Sequence, residues 1–241
     1  MEVIVVKDYQ ELSKVAAEII IEEVKKNPNA ILGLATGGTP LGTYENIINA
    51  YKQGEVSFKG VKTFNLDEYC GIDKKHPQSY YHYMHENLFN HIDVLPENIN
   101  IPSTEGNDLQ AQCDKYNELL NQNTIDLQLL GIGGNGHIGF NEPGTPFTQE
   151  TFVVELAEKT REDNKRFFNS IDEVPTHAIT MGIKNIISSK KILMLISGKS
   201  KVDAAYNLIK GPVTEEFPAS VLNNHPNTIV IIDEEAYSKL K

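Results

Sequence analysis

The chain has 241 residues, 40% of them hydrophobic and 23% charged, with a formal net charge of −11. That length can bury a sizeable core, and the acidic balance argues against a nucleic-acid or anionic-membrane surface as the main partner. There is no N-terminal apolar segment and no run near the ~18 apolar residues of a membrane span, so a cytoplasmic protein with no membrane partner is expected.

Val3–Val6 reads as a first strand, and Asp8 can cap a helix whose apolar positions Leu12, Val15, Ala16, Ile19 and Ile20 keep helical spacing. Asn27-Pro28-Asn29 stops it, and residues 30–35 form a second strand. Thr36-Gly-Gly-Thr-Pro40 follows, and Thr39 and Pro40 signal a helix from about Leu41. Residues 61–66 make a third strand that ends in Asp67-Glu-Tyr69. A helix is expected from about Gln78, carrying Tyr80, Tyr81, Met84, Leu88 and Phe89. Residues 98–101 look like a short edge strand, and a helix spans about 108–121.

Ile125, Leu127, Leu129, Leu130 and Ile132 then form a buried strand, followed by Gly131, Gly133, Gly134, Gly136 and Gly139 within nine positions. So many glycines suit neither helix nor strand; they allow positive φ and close approach of backbone to a ligand. Beyond this loop, residues 151–154 are extended, 160–168 look helical, and 177–181 and 191–197 are strands. The last of these leads through Gly198 into a helix to about Lys210. Residues 228–232 are the final strand, with Asp233 capping a short closing helix.

Strands and helices alternate, and several strands are continuous apolar runs, as strands covered on both faces should be. The expected architecture is a single domain over residues 1–241: α/β, doubly wound and Rossmann-like, with a mostly parallel central sheet and helices on both faces. In such sheets ligands bind beyond the carboxyl ends of the strands. That rule gathers Thr36–Pro40, Asp67–Tyr69, Gly133–Glu142 and Gly198–Lys201 on one rim.

Thr36-Gly37-Gly38-Thr39-Pro40 has the form of an anion cradle, with glycine amides, hydroxyls and a helix N-terminus behind. Lys199 and Lys201 sit on a second strand-to-helix turn that lacks P-loop spacing. Arg166 could clamp a phosphate bidentately. Asp67, at a strand end among apolar residues, is a candidate general base, its alternative being a helix cap or a surface acid. Asn135, His137 and Glu142 lie together in the glycine loop and can exchange or orient protons. Gly131-Ile-Gly-Gly-Asn-Gly136 matches the dinucleotide fingerprint, but Gly139, Pro143, Gly144 and Pro146 interrupt the helix that must follow, so a nucleotide cofactor is not expected. His76, His82, His85 and His91 fit no metal-ligand spacing and read as exposed helix faces; the cysteines Cys70 and Cys113 likewise form no metal or redox pattern.

The segments Gly33–Pro40, Phe64–Tyr69, Ser79–Tyr81 and Gly131–Pro143 resemble glucosamine-6-phosphate deaminase, as do Arg161–Phe168, Met181-Gly182 and Ser197–Lys201. The resemblance runs from about Ile31 to Ser220 in the family's order. It implies hydrolytic deamination and isomerisation of D-glucosamine 6-phosphate to D-fructose 6-phosphate and ammonia, without metal or organic cofactor. Asp67 matches the family's base, which carries a proton from C2 to C1. His137 matches the residue that assists ring opening, with Asn135 and Glu142 as its partners. Much of the family has Asp where this chain has Asn135. Thr36, Gly37, Gly38, Arg166 and Lys201 match phosphate-binding positions. The alternatives are a 6-phosphogluconolactonase and a non-catalytic sugar-phosphate sensing module.

The larger, hexameric branch of the family is activated by N-acetylglucosamine 6-phosphate through a serine, an arginine, a lysine and a threonine after the Asn-Glu-Pro motif. Ungapped alignment from Pro143 puts Thr145, Phe152, Val154 and Glu155 there. Only a hydroxyl is kept, so the resemblance implies no activation, a small-molecule amino-sugar phosphate as partner, and a monomer or small homo-oligomer.

Overall fold

The apolar runs become the strands of a seven-stranded sheet whose position in the chain explains where the loops meet. The computed structural model describes residues 1–156, 158, 161, 162, 165 and 168–241. Its strands are β1 (Glu2–Val6), β2 (Ile31–Leu34), β3 (Lys62–Asn65), β4 (Asp67–Tyr69), β5 (Ile99–Asn100), β6 (Leu127–Gly131), β7 (Phe152–Glu155), β8 (His177–Thr180), β9 (Ile192–Ile196) and β10 (Thr228–Asp233). The helices are α1 (Tyr9–Lys26), α2 (Leu41–Lys52), α3 (Tyr80–Asn87), α4 (Leu109–Gln122), α5 (Ile183–Ile187) and α6 (Val202–Lys210).

The larger sheet runs β1-β10-β9-β6-β2-β3-β5, and every pairing among these strands is parallel. The chain lays β2, β3 and β5 towards one edge, returns to β6 in the middle, and then adds β9 and β10 towards the other. Strand order therefore reverses between β2 and β6, which are hydrogen-bonded neighbours. The loops leaving their carboxyl ends, 36–40 and 132–142, flank the switch point where such sheets bind ligands.

Side chains alternate across the sheet and supply two cores. Leu129, Leu193, Leu195 and Ile231 pack with Leu12, Ala16 and Ile20 of α1 and Tyr44 and Ile47 of α2. Leu130, Ile192, Met194, Ile196 and Ile232 face the other way, onto Ile183 and Ile186 of α5 and Ala204, Ala205 and Leu208 of α6. β9 is buried throughout, as its unbroken apolar sequence requires.

A second sheet, β4-β8-β7, is antiparallel, and it corrects two expectations. Asp67–Tyr69 is not the end of the third strand, and His177–Thr180 does not join the parallel sheet. Leu66 makes the hand-over: its N–H bonds the Leu34 carbonyl of β2 at 3.1 Å, while its own carbonyl accepts Met181 N–H at 2.7 Å. Asp67 is thereby placed at the seam of the two sheets.

The cap at Asp8 acts as anticipated, and Asp108 caps α4 in the same way, each side chain accepting a first-turn amide. Other boundaries shift. Pro40 is the N-cap of α2, without a side-chain cap bond from Thr39. α3 starts at Tyr80, because the Ser79 hydroxyl accepts His82 N–H and fixes the cap there, and it ends before Leu88. Asp233 closes β10 and caps only a turn, through Ala236 N–H. α5 was not legible: five residues give too short a period. The expected helix at 160–168 falls mostly outside the described residues. No helix among the described residues is long and apolar enough to cross a membrane.

Candidate active site

A cavity of about 280 Å³ opens at the switch point, lined by Thr36, Gly37, Gly38, Asp67, Tyr80 and His137 with their loop neighbours. Residues from the ends of β2 and β6, the start of β4 and the start of α3 thus converge.

Asp67 is 6% exposed. Burial, reinforced by the charge of Glu68, raises its carboxyl to about 8. The glycine loop comes close to it because Gly139 is side-chain-free: a Cβ there would lie 3.5 Å from Asp67 Oδ2 and 3.0 Å from Thr180 Oγ1. The loop's far half is tied to β8. Phe140 N–H donates to Thr180 Oγ1 at 3.1 Å, and buried Asn141 donates to the carbonyls of Ile138 and Met181, each at 2.8 Å.

His137 is oriented by its loop neighbours. Asn135 Nδ2 donates to Glu142 Oε2 at 2.6 Å, so the amide oxygen faces the other way and receives His137 Nδ1 at 2.8 Å and His137 N–H at 3.2 Å. An amide oxygen only accepts, so Nδ1 carries the ring proton and Nε2 holds the basic lone pair of the neutral imidazole. Glu142 Oε1 stands 3.7 Å from Nδ1, near enough to favour an imidazolium when one forms. The glycines make room for this: a Cβ on Gly133 would fall onto the His137 ring, and one on Gly136, at φ 87°, onto Phe217. No helix lies between β6 and β7, so the dinucleotide fingerprint lacks the helix that would hold pyrophosphate.

The 36–40 loop leads into α2, whose N-terminus stands behind it. Its amides and hydroxyls suit an anion. Lys201 sits in the turn after β9, at the same edge of the sheet but outside the residues that line the cavity. That turn is held by Asp233, which accepts Ser197 Oγ–H at 2.5 Å and Gly198 N–H at 2.9 Å. Arg166 lies outside the described residues. Thus Thr36, Gly37, Gly38, Asp67 and His137 line one cavity, and Asn135 and Glu142 support it from behind.

Three contributors escaped the sequence: Tyr80, Glu68 and Thr180. Seeing them would have required a β4 strand separate from β3, paired with β8 and docked on α3. Among the described residues no cluster of His, Cys, Asp and Glu could hold a metal ion. His82 and His85 are half-buried on α3, His91 lies in the turn after it, and His76 stacks on Phe168 in the preceding loop, so only part of that set is an exposed helix face. Both cysteines are buried and unpaired as thiols, and burial raises each to about 11.

The chain is 52% identical to the glucosamine-6-phosphate deaminase of Clostridium novyi (strain NT) over 241 residues, covering 100% of both. It is also 52% identical to that of Thermoanaerobacter pseudethanolicus (strain ATCC 33223 / 39E), covering 99% of this chain and 94% of the relative. A solved monomeric glucosamine-6-phosphate deaminase superposes with a TM-score of 0.96 at 50% identity, over 99% of each chain. A 6-phosphogluconolactonase from Thermotoga maritima shares the fold, with a TM-score of 0.76 at 19% identity over 97% of this chain and 99% of that one. The model of the glucosamine-6-phosphate isomerases/6-phosphogluconolactonase family matches residues 7–231, and the chain belongs to that family.

Proposed function

We propose that the chain converts D-glucosamine 6-phosphate and water to D-fructose 6-phosphate and ammonia, acting as a single-domain, cytoplasmic monomer on a small amino-sugar phosphate. The observation that carries this is the pairing in one cavity of a buried, raised Asp67 carboxyl with a His137 whose Nδ1 is held by the Asn135 side-chain oxygen. One substrate needs both, because its C2–H becomes acidic only after the ring opens.

The phosphate occupies the Thr36-Gly37-Gly38 cradle, with Lys201 and Arg166 as its cations. His137 Nε2 takes the proton of the C1 hydroxyl and returns one to the ring oxygen as the C1–O5 bond breaks, giving an aldehyde. Asn135 and Glu142 hold the ring in place and favour its transient positive charge. Asp67, ionised, then takes the C2 proton while a proton of the substrate's ammonium group passes to O1, leaving an enolamine across C1 and C2, and delivers the C2 proton to C1. The resulting imine at C2 adds water and releases ammonia. A base near 8 is well matched to this at neutral pH, because its proton affinity is high while a usable fraction stays ionised.

The test is a coupled assay of the purified chain on glucosamine 6-phosphate. Equimolar ammonia and fructose 6-phosphate are expected. Neither product, together with hydrolysis of 6-phosphogluconolactone, would overturn the reading.

A further inference from the structure

We propose that α3 holds the base and the phosphate cradle in register, and that the buried Glu68 carboxylate, which docks the start of α3 against β4, is a positioning residue for both. The inference rests on the reading of residues 36–40 as a phosphate cradle.

Glu68 is 5% exposed. Its Oε1 accepts Tyr69 N–H at 2.8 Å and Tyr80 N–H at 2.9 Å, and its Oε2 accepts Tyr81 N–H at 2.8 Å. Two of these donors are first-turn amides of α3, so the carboxylate sits at the positive end of that helix and satisfies groups the helix cannot. Asp67 and Glu68 are consecutive residues of β4, so their side chains leave on opposite faces. The base points at the cavity, and its neighbour fixes the helix.

α3 then reaches the cradle through two tyrosines. The Tyr80 hydroxyl lies beside the side chains of Thr36 and Tyr69, and its charge environment includes Asp67. Tyr83, one turn later, donates its hydroxyl to the Gly37 carbonyl at 2.6 Å. From the other side Tyr9 of α1 donates to the Gly38 and Thr39 carbonyls at 3.1 and 3.0 Å and accepts Gly42 N–H at 2.9 Å.

These bonds set the polarity of the loop. In a trans peptide the C=O and the following N–H point in opposite directions, and the described chain has no cis peptide. Drawing the Gly37 carbonyl to Tyr83 turns Gly38 N–H away from it. Drawing the Gly38 carbonyl to Tyr9 does the same for Thr39 N–H. Among the described residues neither amide has a protein acceptor. Both are available to an anion in the cavity that the loop lines.

The experiment compares wild type, Tyr83→Phe and Glu68→Gln for kcat, KM, the inhibition constant of inorganic phosphate, and the pH dependence of kcat/KM. Losing one hydrogen bond of ordinary strength corresponds to about three- to tenfold. Tyr83→Phe should raise KM and the phosphate constant by that factor, and more than it lowers kcat. Glu68→Gln should do the same and also move the acid limb of kcat/KM to lower pH, because its charge no longer opposes ionisation of Asp67. The substrate's own titration is common to all three proteins and cancels in the comparison. Should Glu68→Gln not fold, Tyr83→Phe decides alone, since Tyr83 is half-buried and its lost hydroxyl faces the loop. Wild type inhibited by phosphate with unchanged constants in the variants would overturn the proposal and leave the cradle standing. A wild type that inorganic phosphate does not inhibit would overturn the cradle and the proposal with it.

Discussion

The ionisation of Asp67 can be tested separately from turnover. Its carboxyl goes from 3.8 in the unfolded chain to about 8 in the fold, with burial as the first cause and the Glu68 charge as the second. At pH 7 only about one molecule in ten then carries the base form, and kcat/KM should fall about tenfold for each further unit of acidification. The same interval sets a stability effect. For a carboxyl raised on folding, ionisation costs nothing below the unfolded value, costs progressively more as pH climbs, and levels off above the folded value. At ~1.4 kcal/mol per pH unit the full cost is on the order of 5 kcal/mol. Asp67→Asn removes it, so the variant should lose turnover by at least a hundredfold yet outlast wild type against denaturant above about pH 8. Carbon-13 NMR of the side-chain carboxyls gives the direct measurement, with Asp67 assigned by the signal missing from the variant. A midpoint below about 5 would refute the account, as would a variant less stable than wild type at alkaline pH.

The other predictions concern the loops. Gly133→Ala should cost on the order of a hundredfold in kcat, because the new Cβ meets the His137 ring and displaces it; unchanged kcat would contradict the assigned geometry. Lys201→Ala and Arg166→Ala should each raise KM about tenfold or more while lowering kcat less, as lost charge-assisted bonds to a bound phosphate would; the reverse split would mean that they act in the transition state. N-acetylglucosamine 6-phosphate should leave substrate kinetics hyperbolic and unactivated: Thr145 spends its hydroxyl on the Glu142 carbonyl at 2.7 Å, and Phe152, Val154 and Glu155 form β7. Sigmoidal dependence relieved by that compound would refute this.

The parallel sheet was readable where its strands are apolar runs bounded by caps and glycines, as β9 and β10 are. The four rim loops followed from the rule that ligands bind past strand ends, and three of them line the cavity. What stayed hidden was set by tertiary context. Nothing local separates Leu66 from the residues on either side of it, yet it hands the chain from one sheet to the other. The second sheet pairs strands distant in sequence, Asp67 with Thr180 and Phe152 with Thr180, so its register has no local signature. Nothing in the sequence marks Glu68 beyond its place beside the candidate base. Only the start of α3 at Tyr80, fixed by Ser79, turns its carboxylate into a three-amide acceptor.

Position 135 gives the sharpest test of how the loop orders its protons. Asn135 serves two neighbours with opposite needs: its amide N–H meets Glu142 at 2.6 Å and its oxygen meets His137 Nδ1 at 2.8 Å. Asp at this position keeps the acceptor for His137 but loses the donor, so it sets one carboxylate against another at hydrogen-bond distance. Two such groups do not both stay charged without a shared proton or a compensating cation. Among the described residues a group able to supply that cation is His137, whose Nδ1 is 3.7 Å from Glu142 Oε1. Asn135→Asp should therefore fold, retain turnover, and carry a larger fraction of doubly protonated His137 at pH 7 than wild type, read from the nitrogen-15 shifts of the ring. An equal or smaller fraction would mean that the Asn135 amide does not set the proton arrangement of the loop.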